Sequence, residues 1–313
     1  MGGGYAYNSS IPKTLKEALE KEGIAFISSI SGEENKKNAY KAIFLDFKSE
    51  ISKDIDGIDS NNIETDYSKI QTWCENLLNS AYSYSLWKKN KSNLVKYCSD
   101  RQPIKVESRL RRLGYKDWIK DDNQYKVIFS IYRFSFDFLE IINSAEPKQT
   151  PYIQTTKAND GFPRLKKWCT ENLNLDTSKV EGVAIYSQLT WWCKPLGYDT
   201  IKGRIEKMYG ESWKKESSSD VNANGTWDEI QKLWKDDFNV KSYVKDGYRQ
   251  DQTLSAQEYK DWCDKTLNEK LYEDKAYIAH YKTFKSVCVE VNVQKKLKET
   301  KDLRRAIEEA GTK

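Results

Sequence analysis

The chain is poor in the residues that usually carry chemistry: 313 residues hold one histidine, two methionines and six prolines. A catalytic triad that needs an imidazole has only His280 to draw on, and no serine stands in a nucleophile elbow. Nor does any apolar run approach the length that spans a bilayer, and no apolar signal core precedes the first helical pattern at Leu15. Charge of one sign is missing as well. Lys and Arg number 52 against 47 acidic residues, a net of +5. The two signs interleave without a basic block, so they describe a solvated surface and no nucleic-acid partner is expected. Gly2-Gly3-Gly4 leads to no Lys-Ser/Thr and follows no strand, which excludes a phosphate loop.

Aromatic residues are what the chain has in quantity, ten Trp and twenty Tyr among them. Large rings bury much area each and compensate for a lean aliphatic core. The organisation comes from six cysteines: Cys74, Cys98, Cys169, Cys193, Cys263 and Cys288, with separations of 24, 71, 24, 70 and 25. Each first cysteine follows tryptophan, as Trp73-Cys74, Trp168-Cys169 and Trp262-Cys263. Ile70, Leu165 and Tyr259 stand four residues before, and Leu78, Leu173 and Leu267 four after. That spacing puts them on one face of a helix. Each second cysteine has Leu94, Leu189 or Phe284 four residues earlier, again one stripe.

Upstream of each Trp-Cys pair an aromatic helix is expected around Tyr40–Phe44, Tyr125–Phe129 and Trp227–Trp234. Further helices end at Gly23, Gly114, Gly210 and Gly311, where glycine suits a left-handed cap. The chain is therefore expected to be all-α, with three tandem disulfide-stapled bundles in an elongated repeat array. The boundaries are a flexible segment at 1–14, modules at 15–108, 109–203 and 204–300, and a capping helix at 301–313.

The even count at paired, repeated spacing favours the disulfides Cys74–Cys98, Cys169–Cys193 and Cys263–Cys288. On consecutive antiparallel helices, a turn about twelve residues from each cysteine brings the two level. Six buried thiols packing as small hydrophobes is the other reading. A zinc site is disfavoured, because two cysteines per module are half a ligand set and one histidine cannot complete three of them. Disulfides imply a compartment outside the reducing cytosol.

No cofactor or metal is expected, and no enzyme. His280 has no counterpart in the other modules and is assigned a packing or surface role. Asp121-Asp122 and Asp236-Asp237 are chance pairs in charged helices. Trp73, Trp168 and Trp262 share the cysteine stripe and belong in the core; the run Phe129, Tyr132, Phe134, Phe136, Phe138 is read first as core and second as an alternative partner contact. Trp191 and Trp192 are adjacent and cannot both face one core. Trp192 aligns with Tyr97 and Val287, whereas Trp191 aligns with the polar Lys96 and Ser286, so Trp191 is the candidate partner contact, with Trp87 an alternative. Asn8-Ser9-Ser10, Asn90-Lys91-Ser92 and Asn224-Gly225-Thr226 match the glycosylation pattern, which matters only for a eukaryotic source.

The segments Ile70-Gln71-Thr72-Trp73-Cys74, Leu165-Lys166-Lys167-Trp168-Cys169 and Tyr259-Lys260-Asp261-Trp262-Cys263 carry a family likeness, together with the Lys/Asn-rich composition and the start Gly2-Gly3-Gly4-Tyr5-Ala6-Tyr7. Over nearly the whole chain it resembles the paralogous surface-protein family of haemotropic mycoplasmas, bacteria that live on red blood cells. The resemblance implies an apolar N-terminal membrane anchor ahead of Met1–Gly4 and display on the cell surface. It also implies contact with a host red-cell or serum protein, and it supplies no catalytic residues. The function expected is surface-exposed binding or adhesion. The alternative is a structural or antigenically variable coat without a specific ligand. An extracellular enzyme or small-ligand binder would instead need a deep pocket holding His280 with nearby acids.

Overall fold

A computed structural model describes residues 11–211, Trp213 and 225–311. Most of the N-terminal segment, the Gly2–Gly4 run, the first glycosylation motif and the greater part of the connector at 216–225 lie outside the described residues. Within them the chain is all-α. Its helices are α1 Leu15–Glu20, α2 Glu33–Asp46, α3 Ile51–Asp54, α4 Ile63–Leu78, α5 Tyr84–Cys98 and α6 Val106–Arg112. They continue with α7 Asp122–Tyr132, α8 Phe136–Asn143, α9 Ala158–Leu173, α10 Ala184–Trp192, α11 Ile201–Tyr209 and α12 Thr226–Trp234. The last are α13 Phe238–Val244, α14 Ala256–Thr266, α15 Tyr281–Val287, α16 Val291–Thr300 and α17 Leu303–Gly311, with a π-helical turn at Ala276–His280 entering α15.

The sequence period appears directly in the backbone. Leu15 N donates to Ser80 O at 3.1 Å, Val106 N to Leu175 O at 2.9 Å, and Ile201 N to Glu269 O at 3.1 Å. Each bond latches the first residue of α1, α6 or α11 to the loop that follows a Trp-Cys helix. The acceptors Ser80, Leu175 and Glu269 each stand six residues after the first cysteine of their copy. Thr14 and Thr200 also cap their helices alike, their hydroxyls accepting from Glu17 N and Gly203 N. Gly23, Gly114 and Gly210 have positive φ, which glycine tolerates without strain.

By its packing the chain forms two compact units, one of Met1–Asp117 with Cys169–Trp192 and the other of Trp118–Trp168 with Cys193–Lys313. The division falls inside the second repeat. In the first unit Leu15 and Leu19 of α1, Tyr40 and Phe44 of α2, Ile70 of α4 and Leu94 of α5 enclose Cys74 and Cys98. In the second unit Trp227, Ile230 and Trp234 of α12 pack with Val244, Tyr259, Cys263 and Val287. Buried Gln294 clasps this core: Trp234 Nε1 donates to its Oε1 at 2.7 Å, and its Nε2 donates to Val287 O at 3.0 Å and Val289 O at 2.7 Å.

Cys74–Cys98 and Cys263–Cys288 are disulfides with Cα separations of 5.6 and 5.5 Å. Cys169 and Cys193 are disulfide-bonded too, and among the described residues no cysteine is free. The hairpin geometry differs from the expected one. The turn is not midway between the cysteines, because α4 ends four residues past Cys74 while α5 runs its whole length before Cys98. At 1.5 Å per residue, strictly antiparallel helices would leave Cys98 roughly 15 Å beyond Cys74. The two helices must cross, and the bond joins the last turn of one to the last turn of the other. The cause is local: Asn79 caps α4, and the Ser83 hydroxyl accepts from Leu86 N to start α5.

Candidate functional site

The places weighed in the sequence have different outcomes. The acidic pairs are structural. Asp121 caps α7, accepting from Asn123 N, and Asp237 caps α13, accepting from Val240 N. Trp191 stands in solvent at 56% exposure, while Trp192 is 5% exposed. Adjacent helical residues diverge by about 100°, so one ring enters the core and its neighbour leaves it. Val183 and Ser187 are exposed at four-residue steps before Trp191, which makes an outward stripe along α10. Trp87 is half-buried, stacked on Tyr84 at 5.9 Å and covered by the Lys91 ammonium at 4.6 Å.

The aromatic expectations need two corrections. Phe129 and Phe138 are core, but Phe136 is 74% exposed. Ser135 ends one helical register and caps the next, so the apolar spacing does not carry across the break. Of the repeated tryptophans only Trp168 is buried; Trp73 and Trp262 are half-buried. Both line clefts at the same register, about 380 Å³ beside Trp73 and about 560 Å³ beside Trp262. The aligned pairs Ile55 and Val244, and Lys69 and Glu258, line the two clefts alike.

The larger cleft holds His280. Its wall is built by the end of α13, the face of α14 and the loop between Thr266 and the π turn. Ser255 and Glu258 form a capping box that starts α14. The Glu258 carboxylate also takes a hydrogen bond from Lys245 at 2.7 Å. That bond, with the donation from Ser255 N, holds Glu258 below the usual carboxylate range. Glu269 is anchored through its backbone by the Ile201 latch. Its side chain accepts from His280 Nδ1, with both oxygens at 2.8 Å. A carboxylate acceptor assigns the proton to Nδ1 and leaves Nε2 as a lone-pair acceptor in the neutral imidazole. The rings of Trp262 and Tyr243 stand edge-on to the imidazole, at 6.2 and 6.3 Å.

The sequence places His280 in a packing or surface role and carries no local signal for its partner Glu269. One sequence signal pointed here. The third cysteine interval is one residue longer than the other two, and its helix is the one that opens into a π turn, the way a helix absorbs an inserted residue. The Glu269–His280 pair has the form of a general-base dyad, yet among the described residues the lining brings no serine or cysteine to it. The cleft is broad and open to solvent, and it does hold His280 with acids. No group of three or more potential metal ligands occurs among the described residues. No family model, curated protein or solved structure matches the chain.

The disulfides fit an oxidising environment, secreted or extracellular. Among the described residues no helix is long and apolar enough to cross a membrane.

Proposed function

We propose that the chain is a surface-displayed binding protein of a red-cell parasite, in which disulfide-braced helices present a fixed surface to a host red-cell or serum protein. The observation that carries this reading is Trp191, held in water at 56% exposure on the outward stripe of α10. Burying a large apolar side chain is worth roughly 1.5–3 kcal/mol. A tryptophan left outside a well-packed unit forgoes that gain within the monomer and has it available for a partner. Tryptophan is also among the residues enriched at binding hot spots. The disulfides support the exterior location, and the family resemblance supplies the host.

The test is binding of labelled full-length protein to intact red cells and to immobilised serum proteins. Saturable binding is expected, weakened about tenfold or more by Trp191→Ala while the helical circular dichroism is unchanged. Binding that never saturates, or that Trp191→Ala leaves as it was, removes the proposal.

A further inference from the structure

We propose that the His280 cleft is a recognition site for a guanidinium group, presented as an arginine side chain on a partner peptide or as free arginine. This site belongs to the second unit and stands or falls independently of Trp191, which belongs to the first.

The charge balance of the lining is the first argument. Five carboxylates line the cleft against two lysines. Lys245 is already paired with Glu258. Asp246, Asp261, Glu269 and Glu273 then face one lysine and one imidazole, so the cleft favours a cation. Its aromatic walls narrow the kind. Trp262 and Tyr243 are among the lining residues, and aromatic rings attract a cation that comes over their faces. The carboxylate of Glu269, which keeps lone pairs beyond its His280 contact, asks for N–H donors. A quaternary ammonium has no donor to give, and an ammonium is a compact, strongly hydrated point charge. A guanidinium combines a flat face for the rings with a fork of donors for the acceptors. The volume, about 560 Å³, admits such a group with flanking backbone.

The molecule handles its own arginines in this way. Buried Arg164 lies 3.7 Å from the centre of the Tyr152 ring and donates to Glu146 at 3.2 Å and to Asn143 at 2.6 Å. Arg204 sits 5.1–5.9 Å from the rings of Tyr198, Tyr277 and Tyr281 and donates to the Tyr198 hydroxyl at 2.7 Å.

The repeat adds an internal comparison. Five residues before the first cysteine of each pair stand Lys69, Arg164 and Glu258. The first repeat satisfies that position with its own ammonium, which bonds Asp66 at 2.8 Å, and the second with its own guanidinium. In the third repeat the sign is reversed: the position holds Glu258, which lines the cleft and takes its cation from Lys245 of the same repeat, leaving the other acids of the lining in excess.

The chain has a single histidine, so the imidazole signals in an NMR spectrum report on this cleft alone. Full-length protein is titrated with N-acetyl-arginine amide, its neutral citrulline analogue, its lysine analogue, free arginine and an arginine-centred peptide, followed by calorimetry and by the His280 resonances. Arginine compounds are expected to bind and to shift His280, with citrulline and lysine analogues about tenfold weaker or worse. Glu269→Gln and Tyr243→Ala are each expected to weaken the arginine compounds by about tenfold. A peptide that binds much more tightly than free arginine identifies a partner protein as the source; equal affinity identifies the amino acid. Citrulline binding as well as arginine, no shift of His280 at millimolar arginine, or arginine binding unchanged in both folded variants overturns the proposal. The citrulline comparison uses native protein, so it decides even if a variant fails to fold.

Discussion

Single atoms decide stability at two positions outside any site. Gly161 lies in α9 with the Phe129 ring against its backbone, and a Cβ there would stand 2.2–2.5 Å from three ring atoms. Alanine gains about 1 kcal/mol of helix propensity over glycine, but forcing a ring out of a packed core costs about 1–3 kcal/mol. Gly161→Ala should therefore destabilise on balance, seen as a lower urea midpoint with an unchanged slope; an equal or higher midpoint would mean the ring moves freely. Glu64 is the second case. Lys41 and Arg111 are both buried, and both bond the one Glu64 carboxylate. Burial pushes the Glu64 pKa up, but the Lys41 hydrogen bond and the charges of Arg111 and Lys41 outweigh it, so the carboxyl titrates below its usual range. A folded value below the unfolded one gives stability that is complete above the ordinary carboxylate range of about 4 and is lost as pH falls through the lowered value. The Glu64 side chain itself is about half exposed, so water screens the pair; Glu64→Gln leaves two buried cations with a weaker partner and should cost about 1 kcal/mol at neutral pH. The gap to the native protein should narrow as the pH drops below about 4, and a gap independent of pH would contradict the pairing.

Elements were legible where their signals are local. The Trp-Cys helices, the aromatic helices α2, α7 and α12 and the stops at Gly23, Gly114 and Gly210 follow from local signals, chiefly spacings of three and four residues, which a helix turns into faces without help from the rest of the chain; Gly311 is instead the last residue of α17 and lacks the left-handed turn expected of it. The split of Trp191 from Trp192 was legible for the same reason. The off-centre turn was present in the sequence as Asn79 and Ser83, cap residues outweighed by the symmetry of the cysteine spacing. The cleft was not legible. Tyr243, Glu269 and His280 come from a helix end, a loop and a π turn, and their meeting is fixed by the Ile201 latch and by the packing of α13 on α14. Only the extra residue of the third interval hinted at it. That residue is open to test by deleting Ile278, which is exposed and contributes no core side chain. Deletion restores the interval of 24 and lets the π turn close into a regular helix, rotating one side of it by about 100° against the other. The variant should form its disulfides and keep its helicity while the Glu269–His280 bond is lost, visible as a moved His280 imidazole resonance. A resonance left in place would show that the π turn does not position the histidine.

Across the whole molecule the staples do what no single bundle of this size does by itself. Bundles of a few short helices bury limited area and sit close to the margin of stability. A bond closing a loop of about 25 residues removes on the order of 3 kcal/mol of chain entropy from the unfolded state. Each of the two bonds whose geometry is described also lies inside a core that its own helices build, so packing and cross-link protect each other. They are not equally protected. Cys74 and Cys98 are fully buried, whereas Cys263 is slightly exposed and Cys288 is only half-buried. A reductant must meet sulfur to exchange with it, and access through the native fold differs accordingly. Under graded reduction in native buffer, Cys263–Cys288 should open first and Cys74–Cys98 should persist until the first unit unfolds. Alkylation with mass mapping of the labelled cysteines follows the order, and simultaneous loss of both bonds below the unfolding transition would contradict it. The double variant Cys74→Ala with Cys98→Ala should in turn lose about 3 kcal/mol of stability, read as a lower urea midpoint than that of the native protein, and an unchanged midpoint would contradict the part given to this cross-link.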